Sequence, residues 1–268
     1  MALLPALIGC AVLPQAAPGA TPALRQPNGK WVLDYGETAC TAYRNFGSKE
    51  SPVVLAFRPS PNGSVVRLSL VRDGRVAVPH HFPVTTNISE SSVKTTGLRF
   101  ASADRKGEII WINFARPQLE GLSRAGEIAI TGGRTLNERF ALPGMAGVLK
   151  ALDTCNSNLR AYWNIGDSAS VIATAAAPAK SPAHWVSSGD YPKQAFDENA
   201  SGIVQFVLLI DETGKTRDCM VEDTSGVASL DAMACVILRE RARFKPALDV
   251  GGKPVRSSWT SRVRWIMR

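Results

Sequence analysis

The sequence predicts a chain that is mainly β plus α+β: an N-terminal antiparallel β domain closed by a helix, a short Ala/Pro linker, and a C-terminal ββαβ domain. Three observations lead there. Between residues 52 and 131, short segments rich in Val, Ile, Leu and Phe alternate with turn residues. A tract of Ala and Pro from Ser168 to Ala183 then interrupts the pattern with almost no large side chains. Beyond it, a strand–turn–strand pattern gives way to a helical repeat and then to the clearest alternation in the chain. With 268 residues the chain is long enough for two modest domains, each with its own core.

Residues 1–23 open on an apolar run, Met1 to Pro14, followed by the small-residue stretch Gln15 to Ala23, the pattern of a secretory signal segment. The run is shorter than the roughly 20 apolar residues that cross a bilayer. Leu7-Ile8-Gly9-Cys10 also has the form of a bacterial lipobox, in which Cys10 would be acylated. The expectation is a periplasmic protein, with membrane association through the N-terminus as an option. Setting Cys10 aside leaves Cys40, Cys155, Cys219 and Cys235, an even number suited to an oxidising compartment.

The β domain is expected over residues 31–165. Its strand-like segments are Pro52 to Arg58, Ser64 to Arg72, Gly97 to Ala101, Glu108 to Phe114 and Glu127 to Thr131, with turn signals at Asn62-Gly63 and Asp73-Gly74. Regular spacing of short strands argues for a sandwich or barrel-like sheet. Leu142-Pro143-Gly144 starts a helix in which Met145, Val148, Leu149 and Leu152 recur at helical spacing, so one side covers the sheet. Cys155 falls at the end of that pattern and Cys40 just after the first strand. A bridge between them would contribute roughly 4 to 5 kcal/mol in the chain-entropy model.

The tract at 168–183 cannot bury a core and reads as a linker; fully extended it reaches about 55 Å. In the module at 185–268, Gly202 to Asp211 is a strand, Asp211 to Gly214 a turn, and Lys215 to Glu222 the returning strand. Ser229 sits where a helix N-cap belongs, with Asp231 in the first turn. Leu230, Met233, Ala234 and Ile237 form the packing stripe. After a Gly251-Gly252 turn comes the last strand, with Val255, Trp259, Val263, Trp265 and Met267 on one face and Arg256, Arg262, Arg264 and Arg268 on the other. A Cys219–Cys235 bridge would close a loop of about 17 residues and stabilise the module by roughly 3 kcal/mol.

The net charge of +8 is concentrated in the first part of the chain: residues 1–184 carry 19 Lys and Arg against 12 Asp and Glu, and residues 185–268 carry 12 against 11. Arg58, Arg67, Arg72, Arg75 and Arg99 are scattered along strands and read as a solvated basic face. No basic helix or aromatic-stacking motif accompanies them, which argues against nucleic acid. There is no C-x-x-C pair, and His80, His81 and His184 lie far from the cysteines in sequence, so neither a metal site nor a cofactor is expected. His80 and His81 read as exposed. Asp34, Glu37, Asp104 and Glu108, or Ser187-Ser188 beside His184, bring no orienting third group, so no residue is read as catalytic.

Two resemblances add to this reading. The strand-rich body ending in Phe140-Ala141-Leu142-Pro143-Gly144 and a helix resembles the invasion-associated locus B family of exported bacterial proteins, which implies a secreted β domain. The second is carried by a series of motifs in order: Asp190-Tyr191-Pro192 with Ala195, Gly202-x-Val204-x-Phe206, Asp211-x-x-Gly214, Ser225-Gly226, Leu230-Asp231, Arg241-Ala242-Arg243-Phe244-x-Pro246-Ala247, and Gly252-x-Pro254-Val255. With them residues 185–268 resemble the TonB C-terminal domain family, and the Cys219–Cys235 pair is similar to that of variants carrying their own disulfide.

The resemblance implies a non-enzymatic energy transducer of the Gram-negative envelope. Such a domain captures an N-terminal peptide of an outer-membrane TonB-dependent transporter by β-strand addition. Carried over, the peptide-binding edge is Val255, Arg256, Ser258, Thr260, Arg262 and Arg264. Tyr191 and Pro192 lie beside the peptide or, on the plainer reading, pack on the sheet as a lead-in. The sequence departs from the family in its short apolar start, the lack of a histidine before His80, its short spacer, and Ser188-Gly189 in place of Gln-Pro. The alternative is an exported periplasmic adaptor that uses the module for protein interaction or as a homodimer, without energy coupling.

Overall fold

The computed structural model describes residues 22–134 and 136–267; the signal-like segment and Cys10 lie outside that range apart from Pro22 and Ala23. The first domain contains β1 (Leu24–Arg25), β2 (Asn28–Tyr35), β3 (Cys40–Asn45), β4 (Val53–Pro59), β5 (Val65–Asp73), β6 (His80–Ile88), β7 (Ser91–Ala101), β8 (Gly107–Ala115), a short helix α1 (Leu122–Ala125), β9 (Glu127–Gly132), β10 (Leu136–Ala141) and helix α2 (Met145–Tyr162). The strands form one ten-stranded sheet in the order β1-β10-β9-β6-β7-β8-β5-β4-β3-β2. Because β1 leads directly into β2, the two ends of the sheet are consecutive in the chain, and the sheet rolls up on itself. Trp31 Nε1 on β2 and Arg44 Nη1 on β3 both donate to the Pro143 carbonyl just past β10, holding the seam.

Alternation sets the interior. Leu55 and Phe57, Leu68 and Leu70, Ile110 and Ile112, and Ile128 and Ile130 are buried in a cluster shared with Met145, Val148, Leu149, Leu152 and Leu159 of α2. The helix follows Gly144, whose φ of 78° suits glycine at this start. A disulfide joins Cys40 on β3 to Cys155 on α2, Cα–Cα 6.0 Å. The five expected strands are all present, while β1, β3, β6 and β10 are additional and Gly97 to Ala101 is the end of the longer β7. Asp73-Gly74 ends a strand but makes no hairpin, since β5 pairs with β8 and β4.

The second part contains β11 (Ile172–Thr174), β12 (Ala177–Pro178), α3 (Lys193–Asp197), β13 (Gly202–Ile210), β14 (Thr216–Asp223), α4 (Ala228–Arg241), β15 (Phe244–Lys245), β16 (Ala247–Asp249), β17 (Pro254–Val255) and β18 (Ser257–Trp265). Its central sheet runs β14-β13-β18, all antiparallel. Val204, Phe206, Leu208 and Ile210 pack with Leu230, Ala234, Ile237 and Leu238 of α4, and Trp265 completes the core. Cys219 on β14 is bridged to Cys235 on α4, Cα–Cα 5.3 Å. Gly214 turns β13 into β14 at φ 79°, where a Cβ would lie 1.9 Å from the Phe244 carbonyl oxygen; only glycine fits.

The Ala/Pro tract is tied down rather than free to extend. Its β11 pairs with β16 and its β12 with β15, and Ala176 packs on the C-terminal core. Small side chains let the segment lie flat, and its affinity for the module comes from main-chain bonds that composition does not reveal. Helix α4 also differs from expectation at its start, since its N-cap is Val227, without a side-chain cap, and Ser229 lies inside the helix.

Candidate functional site on the open edge of the C-terminal sheet

The two outer strands of the C-terminal sheet have different surroundings. β14 faces the N-terminal domain. Its Asp218 pairs with Arg58 of β4, and its Glu222 accepts from Ser60 Oγ (2.9 Å), Ser64 Oγ and the Asn62 N–H (3.1 Å). Around this strand Thr96 Oγ1 donates to the Gly226 carbonyl and accepts from the Ala228 N–H, both 2.8 Å, and Asn113 Nδ2 reaches Asp231 at 3.4 Å. Leu209 of β13 joins the core of the N-terminal domain. Asp218 to Glu222 of β14 are all buried, so this side of the sheet is covered by docking.

Docking at Arg58 and ion pairs within the first domain correct the picture of a solvated basic face. Arg67 is buried, with its guanidinium 4.3 Å from the Trp111 ring centroid and its Nε bonded to Asn113 Oδ1. Burial, and then neighbouring Arg58, lower the Arg67 guanidinium to about 10. Arg72 and Arg99 turn inward onto Glu108, and Arg72 also reaches Glu138 at 2.6 Å. Of the five arginines only Arg75 is exposed. His81 is likewise buried, not exposed: Nδ1 lies 2.8 Å from Ser229 Oγ and Nε2 2.7 Å from Glu198, while Gln194 bonds its main chain on both sides.

Glu222 gives the docking a pH dependence. Burial raises its pKa above the ordinary glutamate value of 4.5, against the pull of Ser64, Asn62 and Ser60, and these partners come from the other domain. The docked state thus holds a proton that the undocked carboxylate has released, so docking weakens as pH rises from 4.5 through the raised value. As pH rises from 4.5 through the raised value, the wild-type protein is expected to lose thermal stability more steeply than Glu222→Gln. Parallel melting curves for the two would contradict this.

β18 is different. Among the described residues it pairs with β13 on one side alone, through Gly202↔Trp265 to Ile210↔Ser257. Two flanking contacts set its parity. The Met267 N–H donates to Ser201 Oγ (3.4 Å) on the β13 side, whereas the Arg256 carbonyl accepts from Asn164 Nδ2 (2.7 Å) beyond the sheet. Successive residues of a strand direct their main-chain groups to alternate sides. Odd-numbered residues of β18 therefore face β13, and Ser258, Thr260, Arg262 and Arg264 direct their N–H and C=O groups to the open side.

Of the residues predicted for this edge, these four lie along it and two do not. Val255 belongs to β17 and pairs with Ala247, and Arg256 precedes β18, with its carbonyl already engaged by Asn164. The hydrophobic alternation ran on unbroken through both, so sequence alone could not separate β17 from β18. Tyr191 packs at the far end of the strand, edge-on to Trp265 with ring centroids 5.2 Å apart, and donates to the Ala200 carbonyl at 2.5 Å. Pro192 caps α3. Asp190, next to Tyr191, holds Arg241 through two 2.7 Å bonds, and chiefly this pair depresses the Asp190 carboxyl.

The imagined catalytic groups are dispersed. Asp34, Glu37 and Asp104 are exposed, Glu108 is buried in its arginine pairs, and Ser187 bonds Asp190 instead of His184. Among the described residues no cluster of His, Cys, Asp or Glu is placed to hold a metal ion, and no helix is long and apolar enough to cross a membrane. Tyr162 and Asn164, which bound the start of the edge, carried no sequence signal because they lie in the other domain.

No curated protein matches the chain. A family model does: residues 188–267 match the one described as Gram-negative bacterial TonB protein C-terminal, a non-enzymatic domain of envelope transport. The matched span runs from the Tyr191 lead-in through the hairpin, α4 and all of β18, and this part of the chain is a TonB C-terminal domain.

Proposed function

We propose that the C-terminal domain captures an extended peptide of an outer-membrane transporter in the periplasm, by β-strand addition along β18. The observation that carries this reading is the asymmetry of the sheet, with β14 docked on the N-terminal domain and β18 open. Unpaired main-chain groups on an open edge are a ready partner for an extended segment. Ser258, Thr260, Arg262 and Arg264 supply those groups, and the exposed Arg262 and Arg264 side chains favour acidic residues in the peptide.

Proline substitution tests it. Thr260→Pro or Arg262→Pro removes an outward N–H and is tolerated on an edge strand. Each is expected to weaken binding of a fluorescein-labelled transporter N-terminal peptide about tenfold, with unchanged melting. Ser261→Pro breaks the ladder to Phe206 and lowers the melting temperature instead. Full peptide affinity in Thr260→Pro and Arg262→Pro would sink the proposal.

A second reading, an adaptor without energy coupling, is favoured by the Ala/Pro tract. Because β11 and β12 fasten it to the module, the domain does not hang on a free tether. Limited proteolysis within residues 172–178 discriminates: resistance in the folded protein favours the adaptor, and rapid cleavage favours a loose spacer.

A further inference from the structure

The end of the open edge at Ser257 is bounded by the N-terminal domain. Arg256, the residue before it, has its carbonyl held by Asn164 and its guanidinium 4.1 Å from the Tyr162 ring centroid. Asn164 approaches from the side on which a peptide strand would be added, so such a strand cannot continue past Ser258 in register and must turn onto the neighbouring surface. That surface is a groove of about 380 Å³ beside the Cys40–Cys155 bridge, lined by Tyr35, Glu37, Asn158, Leu159 and Tyr162 among others. Tyr35 and Tyr162 are 66 % and 43 % exposed, two large aromatic side chains left in water where the edge ends.

We infer that this groove is a second subsite for the captured peptide, taking an aromatic or large aliphatic side chain from the peptide end that overlies Arg256. The inference rests on the edge reading above and gives the N-terminal domain a share in recognition. The groove and the edge share Tyr162, which touches Arg256 and lines the groove, so one extended ligand reaches both. Its composition suits the task. Exposed tyrosines offer edge-to-face contacts to an incoming ring, and the rigid disulfide floor spares the groove the entropy of ordering. The product is a two-part site in which main-chain pairing supplies the anchor and the groove selects the sequence.

The test uses the full chain and three labelled nine-residue peptides of alternating Val and Glu, matched to the nine residues of β18: one with Phe at its N-terminal end, one with Phe at its C-terminal end, one without Phe. One of the two Phe peptides is expected to bind about fivefold to tenfold more tightly than the plain peptide. Tyr35→Ala, a change at a side chain 66 % exposed and away from β18, should erase that gain and leave the plain peptide's affinity unaltered. No gain from either Phe, or a gain that survives Tyr35→Ala, overturns the subsite while Thr260→Pro still tests the edge. If no peptide binds the wild-type chain, both readings fall. Light scattering that shows a dimer dispersed by Tyr35→Ala would assign the groove to a second copy and also overturn the inference.

Discussion

Replacing Cys40 and Cys155 together by alanine is expected to lower the unfolding free energy of the oxidised protein by about 4 to 5 kcal/mol. The bridge spans 115 residues of sequence and ties β3, near one end of the rolled sheet, to α2, which follows the last strand. Without it the unfolded chain regains the freedom of a very long loop. The packing of Leu149, Leu152 and Leu159 remains, so the variant should fold to the same structure but unfold at lower denaturant. Denaturant titration of the two proteins decides it; a difference below about 1 kcal/mol would contradict the chain-entropy account.

Asp218→Ala is expected to cost about 3 kcal/mol, because it strands Arg58 and leaves buried Arg67 with Asp231 as its remaining counter-charge. The figure is at the low end for a broken buried pair, since the Arg58 side chain keeps 25 % of its exposure while Asp218 keeps 8 %. Arg58 Nε already has no partner, so the lost carboxylate finds no substitute. The damage should concentrate in the docking, separating one cooperative melting transition into two. The double variant Arg58→Met, Asp218→Leu should recover most of the loss, as apolar replacements of a buried pair commonly do. A single, unshifted transition in Asp218→Ala would show that the pair contributes nothing to docking.

The sequence made some levels of this architecture legible and hid others. The hairpin of β13 and β14, the stripe of α4 and the alternation of β18 are local patterns, and each alone suffices to place its element. The Cys219–Cys235 pairing fits the hairpin and helix so placed, and the Cys40–Cys155 pairing was read from the two cysteines at the two ends of the first domain. The interface did not follow. Thr96, Asn113 and Arg67 sit on outward faces of their strands, and a polar outward face has the same sequence whether it meets water or another domain. The buried His81 and the pairing of Arg58 were missed for this reason, since their partners lie 100 residues or more away, as with Arg58 and Asp218 at a separation of 160. β6 was missed because His80, Pro83, Thr85 and Asn87 dilute its apolar alternation. The candidate edge was legible as a strand with a wet basic face; its start at Ser257, beside the Asn164 contact from a distant helix end, has no local pattern to mark it.

The docked β14 has a further consequence for assembly. A sheet with both borders exposed can propagate, each copy adding to the next without limit. Here one border is covered by the same polypeptide, so growth through this sheet is confined to the β18 side. A twin of the chain joined β18 to β18 would leave neither copy a free border, whereas a captured segment becomes the new outer edge and carries its own unpaired main-chain groups.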